Sequence, residues 1–542
     1  MKITSTEPKA PDPARVLSKT IGLKGDRVDR HLHGHRGGRA GLRLCAPSGA
    51  VRLSSNMRAP RLALGAAAMT ACNIAKVGIQ LGLTPVMARL LGPSEFGVFS
   101  LAQPSILFVM MLADGGLGQS LSREPEEHDL VWSSAFWIML ATSVCLAAAV
   151  AVWAFPLAWL AHEQRLPPIV ATLSLCVVIL SLTVAPSARL TRRGRLGELA
   201  IYDLIANALG GVVAVISALN GAGVWSLVAQ FVTVCGTRAA ILNAVAFHRP
   251  ALVFSWKLVA PHTMLGGTIV LTKLAESVGR MAESAALSRR FGAAALGMFS
   301  FSGQAAWSMV QSVNNPTWTY LYVQALDPAR SLSVIEATHK RLFRLVALTS
   351  LPATAIIAAL AGRVTAELLG PTWIRGVLLI ALIFPSQALG SLGHLSSAAL
   401  YARGRIKWQT WIAVAYVVMR VGSVSLPLGG WGAVPWLIAA ANLAYFGIGV
   451  LSARLQMNWS LRTIGSAVRG PAVASVIAAA ATYKLAEQTS VHGIAGLFVL
   501  MALGSVVFLI ALVAIDFKEL QRDISELRAM TAKPEPVANV AV

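Results

Sequence analysis

From about residue 64 the chain alternates between long apolar runs and short polar breaks, and each run is close to the ~20 residues an α-helix needs to cross hydrocarbon. Fourteen runs can be marked, at about 64–87, 96–118, 131–153, 168–188, 199–219, 222–246, 264–287, 294–316, 344–362, 374–398, 408–428, 431–452, 470–486 and 492–515. No break between them is long enough for a soluble domain. The pattern predicts an all-α, polytopic membrane protein of about 14 transmembrane helices. After the last run, Phe517, Leu520, Ile524 and Leu527 recur on one helical face, which predicts a helix lying on the membrane surface.

Composition supports the same reading. Only 13% of the 542 residues are charged and 56% are hydrophobic, where a soluble protein carries roughly a quarter charged residues. The net charge of +22 is unevenly spread, with 13 Lys/Arg against 4 Asp/Glu in residues 1–62. That stretch reads as a basic, disordered cytoplasmic arm. It has no apolar core of a signal peptide, and a start at Met57 is a second reading of it. Scattered loop cations fit topology signals better than a nucleic-acid surface, so nucleic acid is not expected as a partner. The five cysteines show no CxxC spacing, and no metal site or cofactor is expected. There is no Walker A sequence, no HExxH and no DxD of a nucleotide-sugar enzyme, so the chain is not expected to be an enzyme.

With the N-terminal arm placed in the cytoplasm and the spans alternating, the inner loops and tail collect 21 Lys/Arg, the outer loops seven, and five lie within spans. The excess predicts cytoplasmic N- and C-termini. Self-comparison then gives a repeat. ARLLGPSEFGVFS (88–100) matches SRRFGAAALGMFS (288–300) at an offset of 200, and SARLTRRGR (187–195) matches SAALYARGR (397–405) at an offset of 210. The unit holds six spans, an even number, so the two copies run parallel and are related by an axis along the membrane normal. The predicted organisation is a first lobe at 63–250, a second at 251–455, two extra spans at 456–515 and a cytoplasmic tail at 516–542.

LGPSEFGVFSLAQ, LADGGLGQSLSR (112–123), GAGVWSLVAQ (221–230) and RRFGAAALGMFS, in this order, resemble the polysaccharide-transporter branch of the MOP superfamily, above all the Wzx/WzxC-type flippases. The resemblance runs from about residue 60 to 455. It implies a V-shaped pair of six-helix lobes around a central cavity, in the plasma (inner) membrane. The implied cargo is an undecaprenyl-diphosphate-linked oligosaccharide of O-antigen or exopolysaccharide type. Polysaccharide polymerase and export proteins are implied as partners, beside the membrane lipids. The late acidic residue of span 7 has its counterpart in Glu283, whereas Lys273, Glu276 and Arg280 stand where the family carries neutral polar residues.

Charge inside a span costs ~2.5–3.5 kcal/mol per residue on insertion scales and marks an interior or a wet cavity. Span 7 places Lys273, Glu276, Arg280 and Glu283 on one stripe, and span 1 places Asn73, Lys76 and Gln80 at the positions 200 residues earlier. These stripes, with Arg420 in span 11, are the candidate cavity. Lys76, Lys273 and Arg280 are the cations suited to a diphosphate, and Asn73, Gln80 and Arg420 are further substrate candidates. Glu276, Glu283 and Asp114 are the ion-coupling candidates. A second reading has span 7 neutralising itself through Lys273–Glu276, Glu276–Arg280 and Arg280–Glu283. Two rival functions stand beside the flippase: a drug/cation antiporter of the same superfamily, and a membrane-embedded polysaccharide polymerase or ligase.

Overall fold

The computed structural model describes residues 59–114, 129–246, 250–256, 267–326, 331–426, 429–489 and 492–532. The basic arm and the last ten residues lie outside the described residues. Nearly everything described is helix. In chain order the helices are α1 (Ala59–Asp114), α2 (Asp129–Ala161), α3 (Leu166–Ser181), α4 (Val184–Arg192), α5 (Leu196–Leu219), α6 (Trp225–Ala246), α7 (Gly267–Phe291), α8 (Ala293–Leu326), α9 (Leu332–Ala359), α10 (Val377–Leu395), α11 (Ser397–Ala402), α12 (Ile406–Ser425), α13 (Val434–Met457), α14 (Leu461–Gln488) and α15 (Gly493–Ala532). Among the described residues, ten helical stretches are long and apolar enough to cross a bilayer by length and composition.

Spans 1 and 2 form a single bent helix, α1, broken at Gly92 (φ +74°). The equivalent break between α7 and α8 is at Gly292 (φ +84°). Both glycines adopt the left-handed conformation that a Cβ disfavours, and they are 200 residues apart. The second motif repeats the device, with Gly194 at φ +70° and Gly404 at φ +72°. The sequence repeat is therefore also a repeat of backbone turns.

Helices α8 and α9 extend beyond the apolar runs that predict them, α8 to Leu326 and α9 back to Leu332. Leu321, Ala325, Ile335, His339 and Phe343 are buried along this extension. His339 packs its ring 4.4 Å from Trp459 and 5.2 Å from Phe343, and its Nε2 lies 3.2 Å from Ser396 Oγ. Mixed polar and apolar residues make a helix here through packing, not through bulk hydropathy.

Helices α1–α6 pack on one another as the first lobe, and α7–α13 as the second, with corresponding neighbours in each: α5 on α6 and α12 on α13, α2 on α3 and α9 on α10. The hairpin of α14 and α15 packs on α9 of the second lobe. At its base Arg344 of α9 reaches Asp516 Oδ2 at 2.7 Å, where α15 bends. Gly470 of α14 leaves the room, since a Cβ there would fall 2.1 Å from Asp516 Oδ2. Gly470→Ala is expected to displace Asp516 and lower stability by about 1–3 kcal/mol, read as a lower melting temperature in detergent. An unchanged melting curve would count against this anchor.

The core is distributed unevenly between the two ends of the helical bundle. One large cluster joins both lobes at the end that carries Gly92 and Gly292, including Phe96, Leu157, Leu166, Val224, Leu296, Phe301, Trp373 and Val434. At the opposite end the described residues form separate clusters. One lies in the second lobe around Leu321, Phe343 and Trp459, and smaller ones lie in the first lobe around Trp132 and Leu190.

Candidate functional site

Two helices cross at the closed end with almost nothing between them. A Cβ built on Gly97 would fall 1.8 Å from the Ala293 carbonyl oxygen, and one on Gly297 would fall 1.8 Å from the Pro93 carbonyl oxygen. Gly97 and Gly297, and likewise Pro93 and Ala293, are equivalent residues of the repeat, so the pseudo-twofold axis passes through this contact. Phe96 packs edge-on to Phe301 and Trp373, at centroid distances of 5.9 and 6.1 Å. Hydrogen bonds then tie the lobes together. Trp373 Nε1 donates to the Ala88 carbonyl at 3.0 Å, Arg89 Nη1 to the Glu367 carbonyl at 2.9 Å, and Ser288 Oγ to the Ala161 carbonyl at 3.3 Å. Beside this seal Glu95 accepts from Arg165 Nη1 at 2.7 Å and from the Val224 amide at 2.8 Å. Arg165 also bonds Glu163, and that contact holds the Glu163 carboxyl below the usual carboxylate range.

Away from the seal a cleft of about 420 Å3 opens between α1 of the first lobe and α8, α10 and α15 on the other side. Its apolar wall includes Val77, Leu81, Ile380, Phe384, Leu497 and Phe498. Its polar edge is Gln80 and Thr84 of α1 and Gln304, Ser308, Gln311 and Asn315 of α8. No charged residue lines the cleft among the described residues.

The charged candidates are distributed around it. Gln80 lines the cleft. Lys76 is partly buried on the same face one turn along α1, with no ion pair to a described residue, and Asn73 is exposed a further turn away. On α7, Arg280 is exposed. Glu276 is partly buried, within electrostatic reach of Tyr401, Tyr416 and Tyr445. The side chains of Lys273 and Asp114 lie outside the described residues.

Glu283 and Arg420 come together, and Glu283 turns into the second lobe. Its carboxylate accepts two parallel bonds from Arg420, Nε–Oε1 at 2.8 Å and Nη2–Oε2 at 3.2 Å. Arg420 is thereby occupied within the lobe and does not reach the cleft. Its Nη1 donates to Asn442 Oδ1 at 3.4 Å, and its guanidinium lies 5.4 Å over Phe299 and 5.8 Å over Tyr416. Tyr416 donates to Asn442 Oδ1 at 2.8 Å, and Asn442 Nδ2 donates to Ser386 at 3.1 Å. Four helices, α7, α10, α12 and α13, thus share one buried polar network. Sequence reasoning missed Asn442, Tyr416 and Ser386, because nothing local marks partners 22 to 56 residues apart on other helices. It also missed the α8 edge, whose spacing of i, i+4, i+7 and i+11 was open to inspection.

The chain resembles proteins of known description at each level. A model of the family described as "polysaccharide biosynthesis protein" matches residues 86–378, over half the chain. The succinoglycan biosynthesis transport protein ExoT of Rhizobium meliloti (strain 1021) is 30% identical over 230 residues, 42% of this chain and 46% of that protein, so the match spans less than half of its length. The lipopolysaccharide biosynthesis protein WzxC of Escherichia coli (strain K12) is 18% identical over 365 residues, 65% of this chain and 74% of that protein. Among solved structures, the lipid II flippase MurJ in an inward closed conformation aligns with a TM-score of 0.65 at 11% identity, over 82% of this chain and 98% of MurJ. That likeness is one of fold. With two repeated helical lobes, a C-terminal hairpin and these relatives, the chain belongs to the polysaccharide biosynthesis protein family and is a multi-pass membrane protein.

Proposed function

We propose that the protein flips polyprenyl-diphosphate-linked oligosaccharide repeat units, of O-antigen or exopolysaccharide type, from the cytoplasmic to the outer leaflet of the inner membrane by alternating access. The observation that carries this reading is the one-sided closure. Two repeated lobes share a core and a glycine crossing at one end and have separate cores at the other. Alternating access needs such a seal, and it needs one tight enough to be either fully made or fully broken. The excess of basic residues in the loops opposite the seal supports placing the open end, with both termini, in the cytoplasm. The relatives' descriptions, succinoglycan transport and lipopolysaccharide biosynthesis, support a glycan cargo over a drug cation.

In this reading Lys76, with Asn73 beside it, meets the diphosphate as it leaves the headgroup layer, and Gln80 one turn on meets the sugars next to it. Lys273 and Arg280 offer the matching charges from the second lobe. Hydrocarbon cannot solvate a diphosphate, so its path needs cations and donors along it. The uncharged apolar wall of the cleft suits the part of the cargo that stays in lipid. Arg420 and Glu283 satisfy one another and keep the second lobe in shape. Glu276 among its tyrosines, with Asp114, is a coupling candidate. No step of this calls for a cofactor.

Deleting the gene is expected to cause complete lipid-linked repeat units to accumulate on the cytoplasmic leaflet. Accumulation of none, or of units already on the outer leaflet, would overturn the reading. Lys76→Ala is expected to cut export about tenfold, the effect of losing one ~1.4 kcal/mol charge-assisted contact, with protein level unchanged. Normal export by Lys76→Ala would remove this residue from the path.

A further inference from the structure

Resting on the flippase reading, a second question is where the glycan itself is recognised. We propose that Gln304, Ser308, Gln311 and Asn315 of α8, with Gln80 of α1 opposite, form an uncharged hydrogen-bonding rail that reads the sugar hydroxyls and sets which oligosaccharide is carried. All five line the same cleft. On α8 they fall within about 60° of one another at 100° per residue, so the four side chains project along one edge.

Their chemistry fits sugar better than diphosphate. A carboxamide both donates and accepts, and so does a hydroxyl, so amides pair with sugars without adding charge to a membrane-depth site. Among the described residues the cleft lining has no cation to hold a diphosphate. Trp307, which is 48% exposed, borders the rail and supplies a flat surface for the apolar face of a sugar ring. The amides are unspent. Among the described residues the side chains of Gln80, Gln304 and Asn315 make no hydrogen bond within the protein, although their opposite wall is hydrocarbon. Polar groups left in such a place cost free energy unless a ligand or water meets them. One member is held in position: Gln311, only 7% exposed, accepts from Asn314 Nδ2 at 3.5 Å, and the Asn314 Oδ1 behind it is fully buried without a partner. The rail is also divided between lobes, with Gln80 on the first and α8 on the second, so the hydroxyls it holds bridge the two halves that must move.

The test measures affinity of the full-length protein in detergent for two probes. One is the lipid-linked oligosaccharide extracted from cells lacking the protein. The other is the same lipid trimmed to its first sugar. The wild type is expected to bind the longer probe at least tenfold tighter. Gln304→Leu/Gln311→Leu is expected to erase that difference while binding of the trimmed lipid stays within twofold. Lys76→Ala is expected to weaken both probes alike. Where the double variant fails to fold, Asn315→Leu, at an exposed position, is read for the same loss of preference. A wild type with no preference, or amide variants that retain it, overturns the rail and leaves the flippase reading standing. A wild type that binds neither probe overturns both.

Discussion

Gly297→Ala and Gly97→Ala should each hold the protein away from the closed state and reduce export by more than tenfold. The added methyl meets a backbone carbonyl, not the tip of a side chain that could swing aside, because the distance from an ideal Cβ to the Ala293 or Pro93 oxygen is 1.8 Å. The helices must separate to make room. Overpacking of this kind costs about 1–3 kcal/mol, and 3 kcal/mol changes the ratio of two conformations by more than a hundredfold. The contact exists only where the seal is made, so the cost falls on one state and not on the fold as a whole. Ser302, 1% exposed just behind the seal, gives the readout. A Ser302→Cys side chain should react with a membrane-impermeant thiol reagent from the outer side at least ten times faster when Gly297→Ala is also present. Equal labelling rates in the two backgrounds would show that the glycine crossing is not the seal.

The second large effect is expected at the buried ion pair. Arg420→Met leaves the Glu283 carboxylate, 6% exposed, without its two bonds. Removing one member of such a pair costs about 3–5 kcal/mol, chiefly because the remaining charge is stranded. The melting temperature should fall sharply. Glu283→Gln/Arg420→Met removes the stranded charge and should recover most of the loss, since an isosteric neutral pair is often as stable as a buried ionic one. Export should return with stability in the double variant, which would separate a structural pair from a cargo contact. If the double variant is stable and still inactive, the pair acts in transport and not only in packing.

Much of the architecture was legible before any coordinate. Apolar runs give helices in a membrane because every backbone group must be bonded within its own segment. The repeat was legible because Gly92 and Gly292, and Gly194 and Gly404, occupy backbone turns that few other residues fit, and such positions keep their identity in both copies. The extensions of α8 and α9 were not legible. Residues such as His339 and Trp318 are helical there through aromatic packing against distant residues. Trp318, for example, stacks on His394 at 6.5 Å and donates to Ser397 at 2.9 Å. The candidate site was legible only in part. Charges drew attention to spans 1 and 7, yet Glu283 found its partner 137 residues away, on a helix whose rotation no local pattern fixes. The α8 edge carries no charge and was overlooked for that reason, although its spacing was plain.

The glycine crossing has a further consequence. Because Gly97 meets Ala293 as Gly297 meets Pro93, the contact is isologous, of the kind that usually joins two identical subunits. A chain cut between α6 and α7 would leave two fragments, each carrying one copy of a self-complementary patch. Each fragment is then able to pair with its own kind as well as with its intended mate. Covalent connection of the two halves resolves this competition in the intact protein, since it raises the effective concentration of the correct mate far above that of free fragments. Co-expressed halves should accordingly yield like-with-like assemblies in addition to the working heterodimer.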